Sequence, residues 1–170
     1  MTTTTTVNGR AFQLDYDGAT RRFTSTSAEG RTSGLEIDLA GRVSRLEPAT
    51  ALPLALAYSP TGQIEEISTG EGAAERISTM GYDALNRLQT ITDAENHQVT
   101  MTYDPANRVQ AVALPDNQQV GFGYDPNGNV QSVTPPGRPP IALTYRRNNL
   151  LEDLHLARRW HRHRDRASFL

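Results

Sequence analysis

Three stretches of sequence decide the fold of this 170-residue chain: YDALNRL at residues 82–88, YDPANRV at 103–109 and YDPNGNV at 124–130. Each stretch begins with Tyr-Asp, and its fifth position is Asn or Gly. The Asp carboxylate can accept a backbone N–H two residues later, and Asn and Gly tolerate a positive φ, so this order is typical of a type I turn closed by a left-handed residue. The pattern therefore predicts a tight β-hairpin with a bulge at each stretch.

The tyrosines keep one phase along the chain. Together with Ile37, which takes the place of a tyrosine, they are separated by steps of 21, 21, 24, 21, 21 and 21 residues. We call these six tyrosines and Ile37 the anchors. The residues two and four positions before each anchor are mostly apolar, and this alternation predicts a half-buried strand. The repeat-signature residues are Tyr16, Tyr58, Tyr82, Tyr103, Tyr124 and Tyr145, the turn acids Asp38, Asp83, Asp104 and Asp125, and the fourth turn residues Gly41, Gly62, Asn86, Asn107 and Gly128.

A second apolar pair follows each turn, two and five places beyond the Gly or Asn, as at Val109 and Val112. We expect a second strand there. The odd separation places the two side chains on opposite faces unless a bulge intervenes, so the sequence leaves open which face this strand buries. The fold predicted is all-β, an antiparallel meander of about seven 21-residue hairpins in part of a curved sheet, stable as an array rather than as single units.

The repeat divides the chain into three segments. We expect a disordered threonine-rich start over residues 1–9, the hairpin array over 10–151 and a basic non-repeat tail over 152–170. The tail is expected to form a short helix from about Asn149 to His163 or to stay disordered. Its arginine-rich composition also fits a frameshifted or truncated end.

The composition excludes several kinds of chemistry. The chain has no cysteine, which rules out disulfides, thiolate metal sites and a cysteine nucleophile. The longest apolar run, residues 51–58, contains Pro53 and is far shorter than the roughly 20 residues of a membrane-spanning helix. The first residues lack the basic and apolar regions of a signal peptide, so we expect no signal peptide and no membrane span.

No residue pattern indicates catalysis or a bound cofactor. The sequence lacks a nucleophile elbow, a phosphate-binding Gly-Lys loop and a zinc-protease helix, and His97 is the one histidine of the array. The turn acids resemble calcium ligands, but each turn supplies one carboxylate that the backbone already uses, whereas calcium takes six or more oxygens. His161 and His163 could start a metal site, but they lack a third ligand. We expect no enzymatic activity, no cofactor and no metal site.

The tyrosines and arginines each allow two interpretations. The tyrosines share a strand face with Val, Leu, Met and Phe, which favours core packing over an aromatic platform for sugars. Arg42, Arg87 and Arg108 follow the turns directly. Each is expected to stack on a neighbouring ring, to pair with an acid, or to remain a solvated charge on the strand.

The phased elements, from Tyr82-Asp83 to Leu88, from Tyr103-Asp104 to Val109 and from Tyr124-Asp125 to Val130, resemble the YD repeats of the Rhs family. The resemblance covers roughly residues 12–151. Members of that family include bacterial polymorphic toxins, shell-forming parts of insecticidal toxin complexes and the animal teneurins, whose repeats wind into a β-sheet spiral around a hollow chamber. Seven units are few for such a chamber, and this chain lacks the closing segment whose aspartates perform self-cleavage in the family.

The resemblance implies a structural, non-catalytic role as part of a β-shell that encloses or presents a secreted toxin, with a secreted or cell-surface location. Since we expect no signal peptide, the chain made alone is expected to be cytoplasmic. The implied partners are further Rhs repeats or a C-terminal toxin domain, and exposed sheet edges predict self-association. One alternative is an extracellular module that binds carbohydrate or another ligand. A third is nucleic-acid binding through the arginine-rich tail, where Trp160 could stack on a base, although nucleic acid is not the partner we expect.

Overall fold

A computed structural model describes residues 1–156 of the chain. Over these residues the regular structure consists of fifteen β-strands and one short 3-10 helix, Gly72–Ala74. The strands are β1 (Thr2–Val7), β2 (Arg10–Asp17), β3 (Arg22–Thr26), β4 (Thr32–Ile37), β5 (Val43–Glu47), β6 (Leu54–Tyr58), β7 (Ile64–Thr69), β8 (Arg76–Tyr82), β9 (Leu88–Thr92), β10 (Gln98–Tyr103), β11 (Val109–Ala113), β12 (Gln119–Tyr124), β13 (Val130–Thr134), β14 (Ile141–Tyr145) and β15 (Leu151–Leu156). The predicted all-β fold is confirmed.

The chain forms two compact units, which meet in sequence at Gln98 and Val99. In the first unit, each strand from β1 to β8 pairs antiparallel with the next strand in sequence. The second unit repeats this arrangement from β10 to β15. Each unit is therefore a hairpin meander, as the spacing of the turns predicts.

A bulge next to the anchor residue, present in every hairpin whose turn follows an anchor except that of β2 and β3, determines the face of the second strand. In the hairpin of β10 and β11, Tyr103 pairs with Val109 and Met101 pairs with Val112, with a register shift after Thr102. Tyr103 and Met101 are two residues apart and share a face, so their partners share it as well. The extra residue in the strand places both apolar positions on the tyrosine face, which the spacing in sequence could not decide.

The turns after the anchors have the predicted geometry. After Tyr82, the Asp83 N–H donates to the Arg87 carbonyl at 2.9 Å, and the Asn86 N–H donates to the Asp83 carbonyl at 2.9 Å. The fourth turn residue has a positive φ in six hairpins, namely Gly41, Gly62, Asn86, Asn107, Gly128 and Asn149. The first hairpin differs because Arg21, one place later, takes the left-handed conformation with φ 53°.

The single 24-residue step has a local cause. The 3-10 helix Gly72–Ala74 lies in the loop between β7 and β8, away from the turns that follow the anchors. Tyr82 still pairs with Leu88 across a bulge, as in the hairpins on either side of it. The three extra residues thus lengthen a connecting loop and leave the hairpin geometry unchanged.

The start of the chain differs from the expected disorder. Residues 1–9 form β1 and a two-residue turn, in which Asn8 and Gly9 have φ values of 51° and 74°. β1 pairs with β2 from Thr2 opposite Asp15 to Val7 opposite Arg10. Asn-Gly is a strong signal for a two-residue hairpin, and threonine has high strand propensity, so the local sequence supports this strand.

The end of the array also differs from the expected boundary at residue 151. β15 continues to Leu156 and pairs with β14, with Leu154 opposite Leu143 and Leu156 opposite Ile141. Residues 149–156 are therefore a turn and a strand, not the start of a helix, because alternate leucines match the apolar face of β14. The remainder of the predicted tail helix lies outside the described residues.

The array has little fully buried interior. Among the described residues, Ala111 is the one buried apolar residue, at 7% exposure. All six tyrosines are half-buried rather than buried. Stability in a layer of this kind depends on strand pairing and on contacts between neighbouring hairpins.

Candidate functional site: the clasp between successive hairpins

The turn acids hold their own turns together. The Oδ1 atom of Asp83 accepts the N–H of Leu85 at 2.9 Å and the N–H of Arg87 at 3.0 Å. Asp38 and Asp104 accept the equivalent pair of backbone N–H groups. This confirms that the acids cap the turns, as the repeat pattern indicates.

The arginine that closes the turn pairs with the same acid. Arg87 donates from Nε to Oδ2 of Asp83 at 2.7 Å and places a terminal nitrogen 2.7 Å from the same oxygen. Arg42 with Asp38 and Arg108 with Asp104 form the same pair. The side chains of Asp83 and Asp104 are only 14% and 13% exposed, so these pairs are partly shielded from water.

These contacts favour the charged form of each acid. The pKa of Asp83 is held below its ordinary value, first by the Arg87 backbone N–H and then by the Arg87 side chain. The pKa of Asp104 is lowered in the same way by Arg108. Each turn therefore carries a carboxylate that stays ionised at neutral pH, as hydrogen bonds to the charged form require.

The tyrosines link each hairpin to the one before it. The hydroxyl of Tyr124 donates to the carbonyl of Val109 at 2.7 Å, and that of Tyr145 donates to the carbonyl of Val130 at 2.9 Å. Tyr58 and Tyr82 make the same bond to Val43 at 2.7 Å and to Ile64 at 2.8 Å. The acceptor is in each case the residue six places after the preceding anchor.

The arginine also contacts the next tyrosine. The guanidinium of Arg42 lies 4.2 Å from the ring centre of Tyr58, and that of Arg108 lies 4.3 Å from the ring centre of Tyr124. For Arg42 and Arg108, pairing with an acid and stacking on a ring are thus both confirmed, and for Arg87 the pairing with an acid is confirmed. We call the set of turn acid, arginine, following carbonyl and next tyrosine the clasp.

Other residues can replace parts of the clasp. Asn129 stands in the arginine position after Asp125, donates to Asp125 at 2.9 Å and reaches Oδ1 of Asn149 in the next turn at 3.1 Å. Gln63 stands there after Ser59 and donates to the carbonyl of Asn86 at 2.8 Å. A polar side chain at this position therefore contacts the next turn whether or not it carries charge.

One turn between hairpins uses the same acid geometry, which the tyrosine spacing does not reveal. Between β9 and β10, Asp93 accepts the N–H groups of Glu95 and His97, each at 2.9 Å, and Asn96 has a positive φ of 64°. The signal in the sequence is the Asp followed three residues later by Asn. It recurs without an anchor tyrosine in front of it.

Asp93, Glu95 and His97 also form the one cluster of potential metal ligands in residues 1–156, with ligand atoms within 4.8 Å of one another. The Asp93 oxygens accept two backbone N–H groups and lie 3.1 Å from Nδ1 of His97. Glu95 forms an ion pair with Arg76. These contacts are those of a capped turn. The four turn acids that resemble calcium ligands in the sequence likewise accept backbone N–H groups.

An ion-pair network in the first unit was not visible in the sequence pattern. Arg22 contacts both Glu36 and Glu47, and Arg45 contacts Glu47 and Glu71. Hydrogen bonds from Arg22 and then Arg45 lower the pKa of Glu47 to about 2. Cross-strand pairing brings these residues together, since Arg22 lies opposite Glu36 and Glu36 lies opposite Arg45.

The same unit has an apolar groove of about 620 Å³ on its tyrosine face. Leu14, Phe23, Leu35, Leu46 and Pro48 line it. The groove lies beside the tilted pair formed by Phe23 and Tyr16, whose ring centres are 4.5 Å apart. Among the helices of residues 1–156, none is long and apolar enough to cross a membrane.

A family model described as teneurin YD-shell matches residues 1–154. The chain belongs to the teneurin YD-shell family. The resemblance to YD repeats inferred from the phased Tyr-Asp elements is thereby confirmed. A comparison with curated protein sequences gave no significant match.

Solved structures of toxin complexes have the same fold. The structure titled TcdB2-TccC3-Cdc42 superposes with a TM-score of 0.67 at 16% identity over 84% of this chain, and the Photorhabdus luminescens Tc holotoxin pore with a TM-score of 0.66 at 18% identity over 83%. TcdB2-TccC3 without its hypervariable C-terminal region gives 0.61 at 16% identity over 80%. This chain spans 8–9% of the length of those chains, so the likeness shows the fold of a shell segment.

Proposed function

We propose that this YD-shell chain is a structural, non-catalytic part of a β-shell that encloses or presents a secreted toxin. The observation that supports this proposal is the clasp, in which Tyr58, Tyr82, Tyr124 and Tyr145 join their hairpins to the preceding ones from the same repeat position. An array held together in this way gains stability with each added unit and needs no separate interior. Such an arrangement suits a shell that encloses another molecule.

The apolar tyrosine face supports the same proposal. Phe12 and Leu14 are 41% and 46% exposed, and Leu151 and Leu154 are 53% and 49% exposed. Apolar side chains at this exposure are expected where a face meets further protein. In this proposal the partners are further YD repeats or a toxin domain, and the location is outside the cell or at its surface.

A chimaera tests the shell role. Residues 10–151 would replace the structurally equivalent stretch of TccC3, whose hypervariable C-terminal region serves as the reporter. We expect added protease to digest that region no faster than it does in unmodified TccC3 assayed in parallel. A control chimaera carrying Asp83→Ala and Asp104→Ala should lose part of this protection. Digestion of the reporter in the first chimaera at the rate of the unprotected region would contradict a shell role.

The carbohydrate alternative receives less support from the geometry. Sugar platforms need ring faces open to solvent, whereas Arg42 covers the ring of Tyr58 and Arg108 covers the ring of Tyr124. The tyrosine hydroxyls are also engaged by carbonyl groups. A glycan array probed with the full chain would revive this alternative if it gave saturable binding that Tyr124→Phe abolishes. The arginine-rich segment proposed for nucleic-acid binding lies outside the described residues.

A further inference from the structure

The outer edge of β15 is open. β15 pairs with β14 along one edge, and within residues 1–156 no strand pairs along the other. All six of its residues are exposed. The Leu154 N–H donates to the Asp153 side chain at 2.7 Å instead of to a neighbouring strand. Unpaired backbone groups on an edge strand of this kind are a template for another strand.

The edge strands β1 and β15 differ in the polarity of their exposed side chains. β1 consists of Thr2 to Thr6 followed by Val7, so its exposed edge is polar. β15 has the sequence LEDLHL, and Leu154 and Leu156 are 49% and 65% exposed. Repeat arrays normally end in polar capping elements. β1 has that character, whereas β15 has the composition of an interior strand.

The faces of β15 are distinct. Leu154 and Leu156 lie opposite Leu143 and Ile141 and continue the apolar face of β14 to the open edge. Asp153 and His155 lie on the other face, with a carboxylate oxygen 3.0 Å from Nε2 of the histidine. Both of these side chains are more than half exposed. The edge thus presents apolar residues on one face and an acid next to a histidine on the other.

We propose that two copies of this chain associate by antiparallel pairing of β15 with β15, about a two-fold axis through Leu154. In this register Leu154 lies opposite the second copy's Leu154, and Asp153 lies opposite the second copy's His155, twice because of the symmetry. Directly opposed residues of antiparallel strands interact most closely, and at this place an imidazole N–H can donate to the Asp153 carboxylate. The Leu154 N–H and carbonyl, which the β14 ladder does not use, point towards the new strand.

Neighbouring registers are less favourable. An axis through Asp153 would place two carboxylates opposite each other, and an axis through His155 would oppose two histidines and leave Asp153 without its partner. Pairing of β15 with a second copy's β1 would set leucines against threonines and would continue as an open chain rather than close as a dimer. Only about five residues per copy pair in this proposal, so the dimer forms reversibly with rising concentration.

Cysteine cross-linking tests the axis directly, because the chain has no cysteine of its own. Leu154→Cys places two thiols opposite each other at the axis, and Thr4→Cys on β1 is the matched control. Under mild oxidation of the full chain we expect Leu154→Cys to form disulfide dimers at least tenfold faster than Thr4→Cys. Equal rates, or mixed dimers between the two variants that form as fast as the Leu154→Cys dimer, would overturn the proposal.

A charge exchange tests the register independently. By sedimentation equilibrium, Asp153→Arg and His155→Asp should each raise the dimer dissociation constant about three- to tenfold. Asp153→Arg removes the acceptor that faces the second copy's His155, and His155→Asp sets two carboxylates opposite each other. The double variant should return towards the original value, because arginine then faces aspartate. Circular dichroism of each variant confirms that the hairpins are folded. A chain that stays monomeric at several hundred micromolar, or a double variant no better than the singles, would overturn the proposal.

Discussion

The hairpin of β10 and β11 and the hairpin of β14 and β15 have the same turn but different side chains around it. In the first, Asn107 has φ 63° and Asp104 pairs with Arg108. In the second, Asn149 has φ 60°, but Arg146 and Leu150 stand in the places of the acid and the arginine. The backbone hydrogen bonds of the two turns agree within 0.1 Å. The comparison separates the residue that shapes the turn from the residues that fasten it to its neighbours.

The largest effect is expected where the two hairpins agree, at the left-handed residue. Asn86→Val places a β-branched side chain at φ 61° and should lower the free energy of unfolding by about 1–3 kcal/mol. Asn149→Val should have an effect of similar size, because the last turn shares this geometry. Urea unfolding followed by circular dichroism measures both. Asn86→Gly, which accepts the same φ, is the control, and equal effects of Val and Gly would refute the argument.

The next largest effect distinguishes the two hairpins. Asp104→Ala removes the acceptor of two backbone N–H groups and of Arg108, and should lower the free energy of unfolding by about 1–2 kcal/mol. Arg146→Ala at the equivalent position should change it by less than about 0.5 kcal/mol, because its ion pair with Glu152 is exposed and 3.7 Å long. If both substitutions lowered the free energy of unfolding in urea by the same amount, the acid would contribute no stability to the turn.

The bond between hairpins can be removed without altering either turn. Tyr124→Phe deletes the hydroxyl that donates to the Val109 carbonyl and should lower the free energy of unfolding by about 0.5–1.5 kcal/mol. Tyr16→Phe is the control, since the Tyr16 hydroxyl makes no hydrogen bond within the described residues. If Tyr16→Phe lowered the free energy of unfolding by the same amount, the hydroxyl would act through solvation and not through the clasp.

The comparison can be tested further by introducing the acid and the arginine that the hairpin of β14 and β15 lacks. Arg146→Asp combined with Leu150→Arg recreates the acid and arginine on a backbone that already has the required turn. We expect a gain of about 0.5–1 kcal/mol in thermal or urea unfolding, since one acid then accepts both backbone N–H groups and the guanidinium. Arg146→Asp alone is the control and should give a smaller gain. A loss of stability in the double variant would show that Arg146 has a role of its own.

The smallest effect appears as a change with pH. The pKa of Asp104 is lower in the folded chain than its ordinary value of 3.8, so its contribution to stability is fully present above that value and is lost as the pH falls through the lowered pKa. The difference in free energy of unfolding between wild type and Asp104→Asn should therefore shrink as the pH is lowered from 6 towards 2. Denaturant titrations at several pH values measure this difference, and a constant difference would contradict the assigned charge.

Much of this arrangement was predictable because it depends on local chemistry. Tyr82, Asp83 and Asn86 carry a strand end, a capping carboxylate and a left-handed residue within five positions, and each of these signals acts within its own turn. The assignment of the acids to turn capping rather than calcium followed from the same reasoning. The confirmed fold therefore depended on spacing and turn residues, with no need of a buried core.

The features that sequence reasoning missed depend on residues far apart in the chain. The tyrosine hydroxyl reaches a carbonyl 15 residues earlier, at a place set by the bulge and the register of three strands. The network around Glu47 likewise needs Arg22, which is 25 residues away. β1 was missed for a different reason, since five threonines in a row lack the alternation of apolar and polar residues that indicates a strand.

The regular spacing of the clasp has a consequence for how the gene can change in length. Removal of residues 104–124 would join Tyr103 directly to Asp125 and restore a Tyr-Asp junction with the complete turn Asp125 to Asn129 behind it. A duplication of the same 21 residues would add one hairpin in the same phase. Because the hydroxyls of Tyr58, Tyr82, Tyr124 and Tyr145 all bind the carbonyl at the same repeat position, we expect unequal crossing-over in the gene to shorten or lengthen the protein by whole units without misaligning the contacts between hairpins.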